Sequence, residues 1–288
     1  MRIRTVDAFT DRPYRGNPAG VLLLDGDAFP GDERLQCVAG ELNLSETAFA
    51  HRLPGDEGAD WALRWFTPVS EVDLCGHATL ATAHVMHGDG LVPGGGTVRF
   101  RTLSGVLTAA VAADGAITLD FPTAPLTPVA APPGLAGALG AEPVSVHDTG
   151  PLGDLLVELA DEAAVRGLTP DIAALGRLDR RAAIVTARAA SEDDSYDGDD
   201  GDKRDDEARY DYVSRVFAPA VGIPEDPVTG SAHTALAPLW SERLGRPVLT
   251  GLQCSARSGL VRTTLRGERT GLTGTAVTVL DARLQTGW

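Results

Sequence analysis

The sequence predicts an α+β protein of two pseudo-symmetric β-rich lobes, each a curled sheet around a central helix. Three observations predict this fold. The 288 residues suit two lobes of roughly 120–150 residues each. Short β-type runs far outnumber helical ones along the chain. A short motif also occurs once in each half of the sequence.

Alternating or β-branched segments predict the strands, and 3.6-residue periodicity predicts the helices. Strands are predicted over 3–9, 20–24, 47–53, 62–67, 97–103, 115–121, 144–148, 155–159, 182–187, 210–218, 260–265 and 273–280. Helices are predicted over 32–42, 76–87 and 231–244.

The motif that occurs twice opens two of these helices. Residues 75–81 (CGHATLA) resemble residues 229–235 (TGSAHTA), and each motif follows an acidic loop. A helix rich in Ala, Gly and Thr can pack closely on all sides. We therefore expect each of these helices to lie inside a curled sheet.

A Pro- and Ala-rich stretch, residues 122–133, is the best linker candidate. We expect an N-terminal lobe over 1–122, which the C-terminal strand can join, and a C-terminal lobe over 123–288. Residues 191–207 hold ten acids and two bases, which gives −8 of the total net charge of −15. Such a run repels itself and cannot bury apolar area, so it is predicted to be a disordered insertion.

Composition excludes several classes of partner. Hydrophobic residues make up 43% and charged residues 23%, as in ordinary globular proteins. No apolar run reaches the ~18–20 residues of a membrane span, and Asp7 interrupts the region where a signal peptide would be apolar. The acidic balance disfavours nucleic acid and anionic membranes. Three cysteines without a close pair suit a reducing compartment, so we expect a cytoplasmic protein.

The two helix starts are candidate anion sites. The first N–H groups of a helix lack intrahelical partners, and the positive end of the helix dipole lies there. Gly76, Gly230 and Ser231 are therefore candidate substrate-binding residues for a small carboxylated metabolite. There is no CxxC or HExxH motif, and we expect neither a metal nor a cofactor.

Three side chains near these starts are candidate catalytic residues. Glu46 lies between a predicted helix and a strand, where a partly buried carboxylate can act as general acid and base. His77 can exchange a proton near neutral pH, and Asp226 can orient a substrate amine or hydroxyl. Spacing alone favours ordinary structural roles for these residues, as a salt-bridged Glu, a helix-capping His and a turn Asp. Cys75 is two residues before His77, poor geometry for a Cys–His dyad, so we interpret it as a packed small residue.

Seven segments in a fixed order resemble the phenazine-biosynthesis PhzF-like isomerase family. They are residues 6–10 (VDAFT), 16–21 (GNPAGV), 43–49 (NLSETAF), 64–68 (RWFTP), 71–79 (EVDLCGHAT), 214–219 (SRVFAP) and 222–233 (GIPEDPVTGSAH).

This resemblance implies a diaminopimelate-epimerase-like fold and a homodimer. It also implies a cofactor-independent isomerase similar to trans-2,3-dihydro-3-hydroxyanthranilate isomerase, in which a glutamate moves a proton between carbons. That glutamate matches Glu46, and the other site residues match His77, Asp226 and Ser231.

Two alternatives stay open. Epimerase relatives use two cysteines, one from each helix start. Cys75 fits the first position, but we place Pro227 where the second would be needed, and Cys254 is too far along. This disfavours a two-thiol mechanism and leaves a cysteine-assisted amino-acid racemase or epimerase as the first alternative. The second alternative is a non-catalytic metabolite-binding protein of the same fold.

Overall fold

The computed structural model describes residues 1–190 and 209–285, so the acidic segment 191–207 lies outside the described residues. Helices take up a minor part of the described chain. The α-helices are α1 (Asp32–Leu42), α2 (Gly76–Gly88), α3 (Leu135–Leu139), α4 (Glu162–Arg166), α5 (Ile172–Leu175) and α6 (Gly230–Leu244), and two 3₁₀ turns span Gly150–Leu152 and Pro219–Val221.

The strands of the described ranges form one continuous sheet. Strands of the first half are β1 (Arg2–Ala8), β2 (Asn17–Leu23), β3 (Glu46–Arg52), β4 (Trp61–Phe66), β5 (Glu71–Val72), β6 (Thr97–Thr102), β7 (Gly105–Val111) and β8 (Ile117–Pro122). The others are β9 (Thr127–Pro128), β10 (Ser145–Asp148), β11 (Leu155–Glu158), β12 (Ala183–Arg188), β13 (Tyr212–Ala218), β14 (Ile223–Asp226), β15 (Val248–Gln253), β16 (Gly259–Arg266), β17 (Arg269–Gly274) and β18 (Ala276–Arg283).

The two halves have the same strand topology. In the first half, β1–β2 pair antiparallel, β2–β3 parallel, β3–β4 and β4–β5 antiparallel, β4–β6 parallel, and β6–β7–β8 antiparallel. Strands β10 to β17 repeat this series of pairings in the same order. The pseudo-symmetry predicted from the short motif is therefore confirmed over the whole sheet.

Two pairings connect the halves. Strand β17 pairs antiparallel with β8, with Leu272 opposite Leu119, and both leucines are buried. Strand β18, the last of the described chain, pairs antiparallel with β1. Strand β8 ends at Pro122, the predicted lobe boundary, which stays a prediction.

Each half encloses one helix rich in small residues. Helix α2 packs against β1, β2, β3, β7, β8 and β18, and α6 packs against β15, β16 and β17. Most residues of both helices are buried, because Ala and Gly let the surrounding backbone approach closely. The predicted α+β class, with a sheet curled around each helix, is confirmed. No helix within the described ranges is long and apolar enough to span a membrane.

The sequence pattern missed or misplaced several strands. The patterns do not predict the strands over 105–111 and 248–253. Gly105, Ala109 and Ala110 weaken the strand signal of the first, and Gly251 interrupts the second. The strand predicted over 273–280 is two strands. The chain leaves its pairing with β8 at Gly274 and joins β1 from Ala276, and between them Thr275 accepts a hydrogen bond from Thr10 N.

Candidate active site

Strand alternation directs Glu46 toward helix α2. Successive side chains of a strand point to opposite faces. In β3, Ala48 and Ala50 pack in the cluster around α2, whereas Phe49 packs on the other face beside Leu35 of α1. Glu46 has the parity of the two alanines, so its carboxylate lies on the α2 face, at the first residue of the strand.

His77, the second residue of α2, lies between Glu46 and Cys75. Its Nε2 atom is 3.1 Å from Glu46 Oε2, and its Nδ1 atom is 3.5 Å from Cys75 Sγ. Glu46 is 9% exposed and His77 5% exposed. Neither Glu46 Oε2 nor His77 Nε2 has a well-aligned hydrogen-bond partner within residues 1–190 and 209–285. A ligand's polar group could satisfy both atoms.

Charges in this group stabilise one another. Burial opposes a charge on the His77 ring, but its two neighbours outweigh that effect and hold the pKa of His77 well above its usual value. Burial also raises the pKa of the Cys75 thiol, and the carboxylate of Glu46 adds to that rise. Cys75 and, after it, Glu46 are therefore the neighbours that raise the pKa of His77.

The same three side chains are also potential metal ligands. One donor atom from each of Glu46, Cys75 and His77 lies within 4.8 Å of the others. However, the imidazole presents Nε2 to the carboxylate and Nδ1 to the thiol. One ring nitrogen binds one ion, so a single ion could bind all three residues only after a side chain turned. The arrangement therefore fits proton transfer better than metal binding.

Asp226, at the end of β14, interacts electrostatically with both His77 and Glu46. Asn17 Nδ2 donates to its Oδ1 at 2.8 Å, and Thr229 Oγ1 donates to its Oδ2. Burial raises the pKa of Asp226 to about 6, the His77 imidazolium opposes that rise, and the Glu46 carboxylate adds to it. Asp226 therefore lies close enough to both residues for their charges to interact.

The starts of α2 and α6 meet in the structure. A Cβ built on Gly76 would lie 3.6 Å from Gly230 Cα, and the reverse distance is also 3.6 Å. Phe121 packs beside Gly76, and Phe9 packs beside Gly230. Two sets of free helix N–H groups thus lie side by side, as expected for binding a carboxylate. Ser231, the second residue of α6, is partly exposed at this junction.

Two expectations about the helix starts were wrong. Cys75 contacts His77 although they are two residues apart, because Cys75 has extended backbone angles at the cap and His77 lies in the first turn. The residue equivalent to Cys75 at the start of α6 is Thr229, which has a similar extended conformation; it is not Pro227. A threonine hydroxyl at that position keeps the two-thiol mechanism disfavoured. Cys254 packs elsewhere, and its thiol donates to Ser214 O at 3.4 Å.

Sequence reasoning missed three residues around Asp226. Asn17 and Thr229 hydrogen-bond its carboxylate, and Gln253 Nε2 donates to its backbone carbonyl at 2.8 Å. Gln253 Oε1 also accepts from Thr229 N at 2.8 Å, which holds the start of α6. Asn17 lies in the segment GNPAGV that was singled out, but no local pattern indicates a partner 209 residues away.

Three comparisons relate this chain to known proteins. An uncharacterized isomerase of Pseudomonas aeruginosa is 45% identical over 285 residues, covering 99% of this chain and 98% of the relative. The crystal structure of a PhzF-family phenazine biosynthesis protein of Enterococcus faecalis has a TM-score of 0.83 at 37% identity, covering 98% of this chain and 99% of that one. A hydroxyproline epimerase of Agrobacterium vitis shares the fold alone, with a TM-score of 0.57 at 15% identity over 98% of this chain and 91% of that one.

These similarities confirm the diaminopimelate-epimerase-like fold and the expectation of an isomerase. The family profile described as phenazine biosynthesis-like protein matches residues 6–282. That match spans nearly the whole chain, including both helix starts and all the candidate site residues. The chain therefore belongs to the phenazine biosynthesis-like (PhzF) family.

Proposed function

We propose that this isomerase moves a proton between two carbons of a small carboxylated substrate, with Glu46 as general acid and base. Glu46 takes the proton from one carbon and returns it to another. His77 and Asp226 hydrogen-bond the substrate and set its protonation. Gly76, Gly230 and Ser231 bind the substrate carboxylate through backbone N–H groups and a hydroxyl. This chemistry needs no cofactor, since one carboxylate can remove and return the proton.

The single observation that carries the proposal is the 3.1 Å approach of Glu46 Oε2 to His77 Nε2. Both atoms are buried and lack an aligned hydrogen-bond partner in the described part of the chain. Buried titratable pairs of this kind, in which hydrogen-bonding capacity is left over, are concentrated at functional sites. A nearby imidazolium also stabilises negative charge that develops on the substrate when its proton leaves.

Binding of a carboxylate is supported by the contact between the two helix starts. The helix dipoles place partial positive charge at Gly76 and Gly230, which are so close that a Cβ added to either would be 3.6 Å from the other's Cα atom. His77 adds a full positive charge beside them. An anionic group bound there would neutralise this charge and bring the neighbouring carbon toward Glu46.

A cysteine-assisted racemase or epimerase is the alternative that a specific observation favours, namely the 3.5 Å distance from Cys75 Sγ to His77 Nδ1. Two facts weigh against it. Burial raises the pKa of Cys75, so the thiol stays protonated at neutral pH and the thiolate that would accept a proton is scarce. The equivalent position in α6 is Thr229, so the site lacks the second thiol.

Isotope exchange in heavy water tests the proposal. Wild type, Glu46→Gln and Glu158→Gln would each be incubated with trans-2,3-dihydro-3-hydroxyanthranilate and a panel of small amino and keto acids. Mass spectrometry would follow both isomerisation and deuterium uptake. Glu158 is the matched control, because it is also 9% exposed but pairs with Arg243 and Ser145 in the second half.

We expect Glu46→Gln to lose at least 10²-fold in exchange rate, as removal of a general base typically does. Glu158→Gln should exchange at the wild-type rate. Equal rates for Glu46→Gln and wild type on a compound that the enzyme converts would exclude the proposal. Tight metabolite binding without any exchange would favour a non-catalytic binding protein.

The expected cytoplasmic location and homodimer belong to the same proposal. The three cysteines, which the structure leaves unpaired, support a reducing compartment. The homodimer rests on the family resemblance, and analytical ultracentrifugation would test it.

A further inference from the structure

Asn17 is the first residue of β2, and strand alternation directs it to the interior. Ala19 and Val21 of the same strand pack in the cluster around α2, and Asn17 shares their parity. Ala19 pairs with Glu46, so Asn17 and Glu46 lie at the same end of two neighbouring strands. Asn17 is fully buried, with an exposed fraction of 0%.

Gly16 fixes how the chain enters this strand. It has φ of +64°, and a Cβ at this position would lie 2.1 Å from Ala8 O, so no other residue fits without a backbone shift. Gly16 N also donates to Ser258 O at 2.7 Å. The backbone position of Asn17 is therefore set by its surroundings.

The amide of Asn17 has a defined orientation. Its Nδ2 atom donates to Asp226 Oδ1 at 2.8 Å and to Val228 O at 2.9 Å. Both partners are acceptors without a hydrogen, so a flipped amide would place oxygen against oxygen twice. Its Oδ1 atom is buried and has no hydrogen-bond partner among the described residues. A purely structural buried amide normally has both ends paired.

We propose that Asn17 is a positioning residue for Asp226, which orients the carboxylate through Nδ2 and favours its ionised form. This inference rests on the proposed function in one respect, namely that Asp226 hydrogen-bonds the substrate. Asn17 comes from the first half of the chain, and Asp226 precedes the central helix of the second half. The hydrogen bond from Asn17 therefore connects the Asp226 carboxylate of the second half to strand β2 of the first half.

The electrostatics agree with this geometry. Burial raises the pKa of Asp226, and the hydrogen bonds from Thr229 and Asn17 oppose that rise. The charged groups that act on Asp226 are the His77 imidazolium from α2, which opposes the rise, and the Glu46 carboxylate from β3, which adds to it. Loss of the Asn17 donor should therefore raise the pKa of Asp226 further above its wild-type value.

Carboxyl carbon-13 NMR of protein labelled at aspartate tests this directly, with the Asp226 signal assigned from its loss in Asp226→Asn. We expect Asp226 to titrate near pH 6 in the wild type. In Asn17→Leu the midpoint should move upward by about one pH unit, the usual effect of one hydrogen bond to a carboxylate. In Asn17→Asp it should move further, because two adjacent carboxylates share a proton.

Ser255→Ala is the matched control. Ser255 Oγ donates to Pro227 O at 2.8 Å, so it holds the same segment without touching the carboxylate. This variant should leave the titration of Asp226 unchanged. Asn17→Asp has the size of the wild-type residue. If Asn17→Leu does not fold, the Asp226 midpoint in Asn17→Asp tests the proposal.

An Asp226 midpoint in both Asn17 variants within about 0.2 pH units of wild type would overturn the proposal. A midpoint that moved equally in Ser255→Ala would overturn it too, because the segment and not the amide would then be responsible. These outcomes are independent of catalysis. The proposed function fails separately, if Glu46→Gln keeps its exchange activity.

Discussion

Gly76 and Gly230 face each other at the starts of the two central helices, so that a Cβ added to either would lie 3.6 Å from the Cα atom of the other. Each is the first residue of the helix that its half of the sheet encloses, and the strand pairings of the two halves repeat. The pseudo-symmetry therefore brings the N–H groups of both helices to one place. Two glycines allow this approach because neither carries a side chain.

Gly76→Ala should weaken substrate binding and leave the fold intact. At 3.6 Å, the added methyl group makes ordinary van der Waals contact with Gly230, but it occupies space beside the free N–H groups. We expect KM for an exchanging compound to rise about tenfold, with a melting temperature close to that of wild type. Gly88→Ala is the control, since Gly88 ends the same helix with open space around it. Equal KM values for both variants would contradict a binding role for Gly76.

Cys75→Ser should retain most of the exchange activity. Burial keeps the thiol protonated, so it serves His77 as a hydrogen-bond partner, and a serine hydroxyl can replace it at Nδ1. We expect a rate within about tenfold of wild type in heavy water. A loss of 10²-fold or more, as for removal of a general base, would favour the cysteine-assisted racemase. Cys254→Ser serves as the control, because that thiol lies against Ser214 O, away from the site.

Asp226→Asn should change how stability depends on pH. The folded pKa of Asp226 is about 6, above its ordinary value of 3.8, so the folded state binds more protons between these pH values. The free energy of unfolding of the wild type should therefore fall as pH rises through this window. A difference of about two between the pKa values corresponds to about 3 kcal/mol.

The variant lacks this titration. From pH 4 to pH 8 its free energy of unfolding should gain up to about 3 kcal/mol relative to wild type, measured by urea denaturation. A constant difference between the two proteins across this range would mean that the pKa of Asp226 is not raised in the folded state.

His233→Gln should reduce the sensitivity of the fold to acid. His233 is fully buried in α6, its Nδ1 atom lies 2.9 Å from Tyr212 Oη, and burial lowers its pKa to about 3. The unfolded state binds a proton at about pH 6.5, so wild-type stability should fall as pH drops from there toward 3.

That loss is at most about 5 kcal/mol for this one group. We expect His233→Gln to be less stable than wild type at pH 7 and to lose less stability on acidification, as measured by thermal unfolding at several pH values. Parallel losses in the two proteins would show that other groups cause the acid sensitivity.

Local patterns were sufficient for the elements that carry the site. Helix α1 spans Asp32–Leu42 as predicted, because its periodic apolar residues follow Gly31 and two acids in the first turn. The small-residue motifs marked the starts of α2 and α6, since only such helices can lie inside a curled sheet. The role of Glu46 could be suggested from its place at the start of β3, but the face to which its side chain points depended on the register of that strand.

The tertiary structure alone decided which groups meet. Asn17 and Asp226 are 209 residues apart, and the hydrogen bond from the Asn17 amide to the Asp226 carboxylate depends on how the two halves are joined through β8 and β17. Strands β7 and β15 form because neighbours on both sides supply hydrogen-bond partners, although their own sequences have weak strand signals.

The sequence by itself predicted the α+β class and the two central helices, because these depend on periodicity and on residue type. The candidate site residues were indicated by the resemblance to a known family. Only the tertiary structure decided the close approach of Gly76 to Gly230 and the position of His77 between Glu46 and Cys75. Those relations are distances between chain segments, and local composition does not encode such distances.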